Sequence, residues 1–63
     1  MKFTKRETDI LKSLAEGKKP KEIAIKLKLS EQTIRDSIRV LRRIFEADNS
    51  TTLVLEAYKQ KII

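Results

Sequence analysis

The sequence predicts an all-α chain of four helices, a tri-helical core followed by a C-terminal helix. Two observations predict it. Apolar residues recur at helical spacing in four separated stretches, and each stretch begins at a residue suited to start a helix: Thr4, Pro20, Ser30, and Ser50 or Thr51. With 63 residues the chain makes one domain, residues 1–63. A chain this short buries little surface. It has neither cysteine nor histidine, so disulfides and the usual zinc ligands are missing. Support must come from helix packing or from a second copy of the chain.

Thr4-Lys5-Arg6-Glu7 fits a capping box, and Phe3 ahead of it can pack over the first turn as a staple. The first helix runs through Ile10, Leu11 and Leu14 to Ala15, and Gly17 is placed to end it in the left-handed conformation. Its apolar face buttresses the next two helices. Lys18 and Lys19 form the connection, and Pro20 precedes or opens the second helix. That helix turns Ile23, Ala24 and Leu27 inward and leaves Ile25 pointing elsewhere.

Lys28, Leu29 and Ser30 break the chain, with Leu29 plugging the turn into the core and Ser30 capping a third helix over about residues 31–46. Ile34, Ile38, Leu41 and Phe45 form its apolar stripe, with Ile44 beside them. Arg35, Arg39 and Arg42 lie on the other side, with Arg43 close by. A short helix, a tight turn and a helix with an arginine front read as helix-turn-helix. Such a unit places its second helix in the DNA major groove. Ala24 and Ile34, ten residues apart, supply the small and the branched residue needed where the two helices cross.

Ser50 or Thr51 caps a last helix from Thr52 to about Lys61. Val54, Tyr58 and Ile62 make one apolar stripe, Leu53 and Ala57 a second, and Leu55 lies on neither. That is more apolar surface than a small core absorbs, so the helix either closes the core or forms a dimer seam. The seam candidates are Leu53, Val54, Leu55, Tyr58 and Ile62, with Leu55, Tyr58 and Ile62 foremost.

The net charge is +6 and the pI near 9.9. Met1 to Pro20 holds six basic residues against three acids, Lys21 to Phe45 seven against three, and Glu46 to Ile63 two against three. The positive excess therefore sits in the first two thirds, where it attracts phosphates. No apolar run approaches the ~20 residues needed to cross a bilayer, and no signal peptide is present. The expected location is the cytoplasm, with no membrane and no small-molecule ligand. The missing histidine and cysteine, and the want of a glycine-rich loop or paired carboxylates, argue against an enzyme and against a metal or other cofactor. Asp9, Glu16 and Glu22 read as surface charge.

Phe3-Thr4-Lys5-Arg6-Glu7, Leu11, Leu14-Ala15-Glu16-Gly17, Lys21-Glu22-Ile23-Ala24, Leu27, Ser30-Glu31-Gln32-Thr33-Ile34, Leu41-Arg42-Arg43-Ile44 and Asn49-Ser50-Thr51 resemble, without gaps, the LuxR/GerE-type helix-turn-helix of bacterial and archaeal transcription regulators. The resemblance covers about residues 3–62 and is nearest to stand-alone, GerE-like members, since nothing precedes the module. It implies four helices, the third in the major groove and the fourth pairing across a two-fold. It implies base contacts by Arg35, Asp36 and Arg39 and backbone contacts by Lys21, Thr33, Ser37 and Arg43. Ser37 stands where the family often has histidine, a shorter and uncharged contact. Asp36 can accept from a cytosine amino group or repel the backbone. The helix N-terminus at Ser30 adds N–H donors, and Arg42 joins the backbone set from the arginine front.

The leading expectation is thus a sequence-specific, double-stranded DNA-binding regulator of transcription, acting as a homodimer through the C-terminal helix. Arg35 and Arg39 are the bidentate guanine readers. The alternative is an interaction module that binds RNA polymerase or a larger regulator, like a detached sigma-factor terminal domain or an anti-activator. An architectural DNA binder without sequence preference is a third reading.

Overall fold

The computed structural model describes residues 2–63, which form four helices: α1 (Lys5–Ala15), α2 (Pro20–Leu27), α3 (Glu31–Ile44) and α4 (Ser50–Lys59). This is the expected all-α architecture. α2 packs against α3, and α1 packs against α4 and α3. The core holds Ile10, Leu11, Ile23, Ala24, Ile34, Ile38, Leu41, Phe45, Ala47, Leu53 and Ala57. Burial of each large side chain contributes about 1.5–3 kcal/mol. Ala24 and Ile34 are both buried, as a close helix crossing requires.

Local chemistry explains each helix start. The Glu7 N–H donates to Thr4 Oγ1 (3.1 Å) and the Thr4 N–H to Glu7 Oε1 (2.8 Å), closing the capping box. Lys19, ahead of Pro20, has no side-chain acceptor, so α2 has only the reciprocal half, in which the Lys19 N–H donates to Glu22 Oε1 (2.9 Å). Ser30 Oγ accepts from the Thr33 N–H (3.0 Å) and caps α3. For α4 the expectation is corrected. Asn49 is the cap, its Oδ1 accepting from the Thr52 N–H (2.8 Å), so the helix begins at Ser50 and ends at Lys59.

The helix ends share one device. After α1, Gly17 takes φ 85°, and the Lys18 and Gly17 N–H groups return to the carbonyls of Ser13 and Leu14. After α2 a lysine does the same, Lys28 at φ 58°, and Leu29 folds back half-buried against the core. After α3, Glu46 takes φ 53° while the Ala47 N–H donates to the Arg42 carbonyl (2.8 Å). α3 therefore stops at Ile44 rather than at residue 46. After α4, Lys61 takes φ 57° and the Ile62 N–H donates to the Ala57 carbonyl (2.9 Å), which brings Ile62 and Ile63 back onto the core.

Phe3 does not simply cover the first turn. It stacks on Phe45, with ring centroids 5.3 Å apart, and so ties the start of α1 to the end of α3. No described helix is long and apolar enough to cross a membrane.

Candidate nucleic-acid interface

α3 is amphipathic by position. Its ridge Ile34, Ile38, Leu41 and Phe45 is buried, and the ridge two residues out of phase is exposed. Two residues turn a helix by about 200°, so Gln32, Asp36, Arg39 and Arg43 face away from the core. All four are exposed, as are Arg35 and Val40 on the flanks. The outermost line thus differs from the one expected at Arg35, Arg39 and Arg42. It starts at Gln32, which the arginine spacing did not single out, and it ends at Arg43.

Arg42 is the main departure. It is half-buried, and its guanidinium donates to the backbone carbonyls of Ala47 (Nε, 3.3 Å) and Asp48 (Nη2). The Arg42 carbonyl in turn accepts from the Ala47 N–H. The side chain clasps the α3–α4 connection, so its first role is structural and it does not project with the other arginines. The physical reason is that Glu46 turns the chain back at the end of α3 and leaves two carbonyls facing this position.

Two shallow clefts flank α3. One, of about 280 Å³, is lined by Pro20, Arg35, Ile38, Arg39, Arg42 and Ser50, which joins α3 to the starts of α2 and α4. The other, of about 270 Å³, is lined by Arg6, Glu7, Thr33, Asp36, Ser37 and Val40. The base-reading candidates therefore divide, Arg35 and Arg39 on one flank and Asp36 on the other. Thr33 and Ser37 share this cleft with Arg6 of α1. Arg6 forms no ion pair among the described residues, whereas its neighbour Glu7 is held in the cap. Arg6 is a cation beside the expected phosphate contacts, and only the packing of α1 across α3 reveals it.

Arg35 donates through Nε (2.9 Å) and Nη2 (2.7 Å) to one oxygen of Glu31. Arg39 lies 3.5 Å from Asp36, and Gln32 Nε2 donates to Asp36 Oδ1 (2.9 Å). These pairs are exposed and one helical turn apart, so each contributes about 0.3–0.5 kcal/mol. Pairs this weak leave both guanidinium groups free to change partners.

The remaining candidates are accessible. Lys21 is exposed in the first turn of α2, and Arg43 is exposed in the last turn of α3. Ser30 Oγ donates to Thr33 Oγ1 (2.7 Å), which leaves the Thr33 hydroxyl proton for another acceptor. Among the described residues, no group of three or more His, Cys, Asp or Glu is gathered to hold a metal.

On α4, Leu55 and Tyr58 are exposed (56% and 68%), and Val54 is half-buried. Leu53 has no exposed surface at all. That corrects its expected place in a dimer seam, because the inner side of α4 seats it against the other helices. Ile62 is half-buried against its own core, which leaves it only partly available.

No curated protein and no solved structure matches the chain. A family model described as "Bacterial regulatory proteins, luxR family" matches residues 1–57, nearly the whole chain, and its span takes in all of α1, α2 and α3 and most of α4. The chain belongs to the luxR family of bacterial regulatory proteins, whose helix-turn-helix domains bind DNA to regulate transcription.

Proposed function

We propose that this protein is a sequence-specific regulator that binds double-stranded DNA as a homodimer in the cytoplasm, with α3 in the major groove. One observation carries the reading. α3 buries an apolar ridge and projects three arginines, Arg35, Arg39 and Arg43, from its remaining surface, while the fourth, Arg42, is held by backbone carbonyls. A major groove about 12 Å wide admits such a helix.

In this reading Arg35, Asp36 and Arg39 meet base edges. Lys21, Ser30, Thr33, Ser37 and Arg43 fix the register on phosphates, and Arg42 adds charge from behind while holding its loop. The dimer forms through the outer side of α4, centred on Leu55 and Tyr58 with Val54 and Ile62 at its margin. The exposure of Leu55 and Tyr58 in a small protein supports that role. Two-fold symmetry sets half-site centres about 10 base pairs apart.

Selection of binding sites from a random DNA pool tests the reading. The expected winners are palindromes with that spacing, bound far more tightly than random DNA at the same salt concentration. Equal affinity for selected and random DNA overturns sequence-specific regulation in favour of an architectural binder.

A further inference from the structure

The exposed ridge of α3 opens with a polar pair that the arginine pattern hides. Gln32 stands in the first turn and Asp36 one turn later, joined by the hydrogen bond from Gln32 Nε2 to Asp36 Oδ1 (2.9 Å). Arg39 Nη1 lies 3.5 Å from the same Asp36 oxygen. Gln32, Asp36 and Arg39 thus form a continuous strip at i, i+4 and i+7, on the side of α3 opposite the buried ridge.

We propose that Gln32 is a base-reading residue, that it recognises adenine, and that Asp36 sets its orientation. The inference rests on the DNA-binding role proposed above and adds a residue to it. A glutamine amide has two N–H donors and one carbonyl acceptor, and a free amide can turn either end toward a partner. Asp36 is an acceptor-only carboxylate, so it selects the nitrogen end. When Asp36 takes the N–H remote from Oε1, the other N–H and Oε1 remain side by side. Adenine presents its complement in the major groove, an N7 acceptor beside an N6–H donor. No other base edge offers that order to a pinned amide. Guanine presents two acceptors, N7 and O6, and would face Oε1 with a like dipole.

The same geometry gives Asp36 a use without a phosphate contact. A carboxylate on the outer ridge repels the backbone and rejects acceptor edges, which lowers affinity for wrong sequences more than for the right one. Its second oxygen, free of Gln32, is the acceptor for a cytosine amino group. Arg39 follows one turn on, fitted to guanine. The strip therefore reads adenine, cytosine and guanine with three chemically distinct groups.

The experiment measures the wild type, Gln32→Ala and Asp36→Asn against a selected operator and all of its single-base-pair variants, at one salt concentration. Gln32→Ala is expected to weaken the operator about 5- to 140-fold, the equivalent of the 1–3 kcal/mol of a bidentate contact. It should abolish preference at one A·T position and leave random-DNA affinity within about twofold. Asp36→Asn should flatten that same position together with its neighbour, because an asparagine no longer selects the nitrogen end of the amide. A specific wild type whose profile Gln32→Ala leaves unchanged, or weakens equally at all positions, overturns the role of Gln32 alone. Gln32→Ala acting at a G·C position overturns the adenine assignment. A wild type with no preference at any position overturns the DNA-reading role and this inference with it.

Discussion

Phe3 lies nearly parallel to Phe45, with ring centroids 5.3 Å apart and planes inclined by 13°. The contact joins the residue before the α1 N-cap to the C-cap residue of α3, and Phe45 is itself buried. Phe45→Ala should cost about 3–5 kcal/mol. That is comparable with the whole stability of a domain this small, about 3–5 kcal/mol, so the variant should be largely unfolded at room temperature. Phe3→Leu keeps an apolar side chain and removes the ring pair, for a loss of about 1 kcal/mol. Urea denaturation followed by circular dichroism measures both, and an unchanged midpoint for Phe3→Leu would show that the stack contributes nothing.

The turn between α2 and α3 places Lys28 at φ 58°, a conformation in which a side chain costs about 1–2 kcal/mol and glycine almost nothing. Lys28→Gly should therefore stabilise the fold by about 1 kcal/mol, despite the greater freedom of glycine in the unfolded chain. Gly17, at φ 85°, supplies the control. A Cβ added there meets nothing within 4 Å, so Gly17→Ala should destabilise by about 1 kcal/mol through the backbone alone. Opposite shifts of the thermal midpoint check the pair.

Ser13 is fully buried, and among the described residues its hydroxyl has no hydrogen-bond partner. An unsatisfied buried hydroxyl costs about 1–3 kcal/mol. Ser13→Ala removes it, keeps the helix and should raise stability by about 1 kcal/mol. A loss of stability in the same denaturation measurement would mean that the hydroxyl is bonded in solution.

Arg39 and Arg43 should separate into two kinds of contact. Arg39→Ala is expected to cost about 1–3 kcal/mol of operator binding and to relax one base position. Arg43→Ala should weaken all sequences alike and lower the slope of log affinity against log salt by about 1. Titrations at several salt concentrations distinguish them, and uniform weakening by Arg39→Ala would move that residue to the phosphate class.

On α4, Leu55→Ser with Tyr58→Ser should convert a dimer into a monomer in sedimentation while leaving the helix content intact. Leu53→Ala should instead destabilise the protomer by about 2–5 kcal/mol. A double variant that sediments as the wild type does would remove this side of α4 from the proposed seam.

Much of the fold was legible in the residues because its signals are short-range. The capping box at Thr4 and Glu7, the Ser30 cap and the left-handed Gly17 each involve residues three to five apart, and such contacts form in any context that lets the helix start or stop. The start of α4 was less legible, because Asn49, Ser50 and Thr51 are all competent caps and local preference hardly separates them. The buried stripe of α3 could be counted directly. The strip opposite it was blurred by its mixture of arginine, acid and amide, in which the spacing of positive charge points to Arg42 rather than to Gln32.

By itself, the sequence determined four amphipathic helices, the caps of the first and third at Thr4 and Ser30, and a third helix that is apolar on one side and cationic on the other. It did so because helical periodicity and capping are properties of neighbouring residues. The tertiary structure alone decided that Leu53 turns inward while Leu55 and Tyr58 stay out, that Arg42 closes on the carbonyls of its own loop, that Phe3 reaches Phe45, and that Arg6 comes up beside Thr33 and Ser37. Each of these depends on which side of one helix meets another. That choice is made by packing between segments distant in the chain, where no residue's own preference carries the answer.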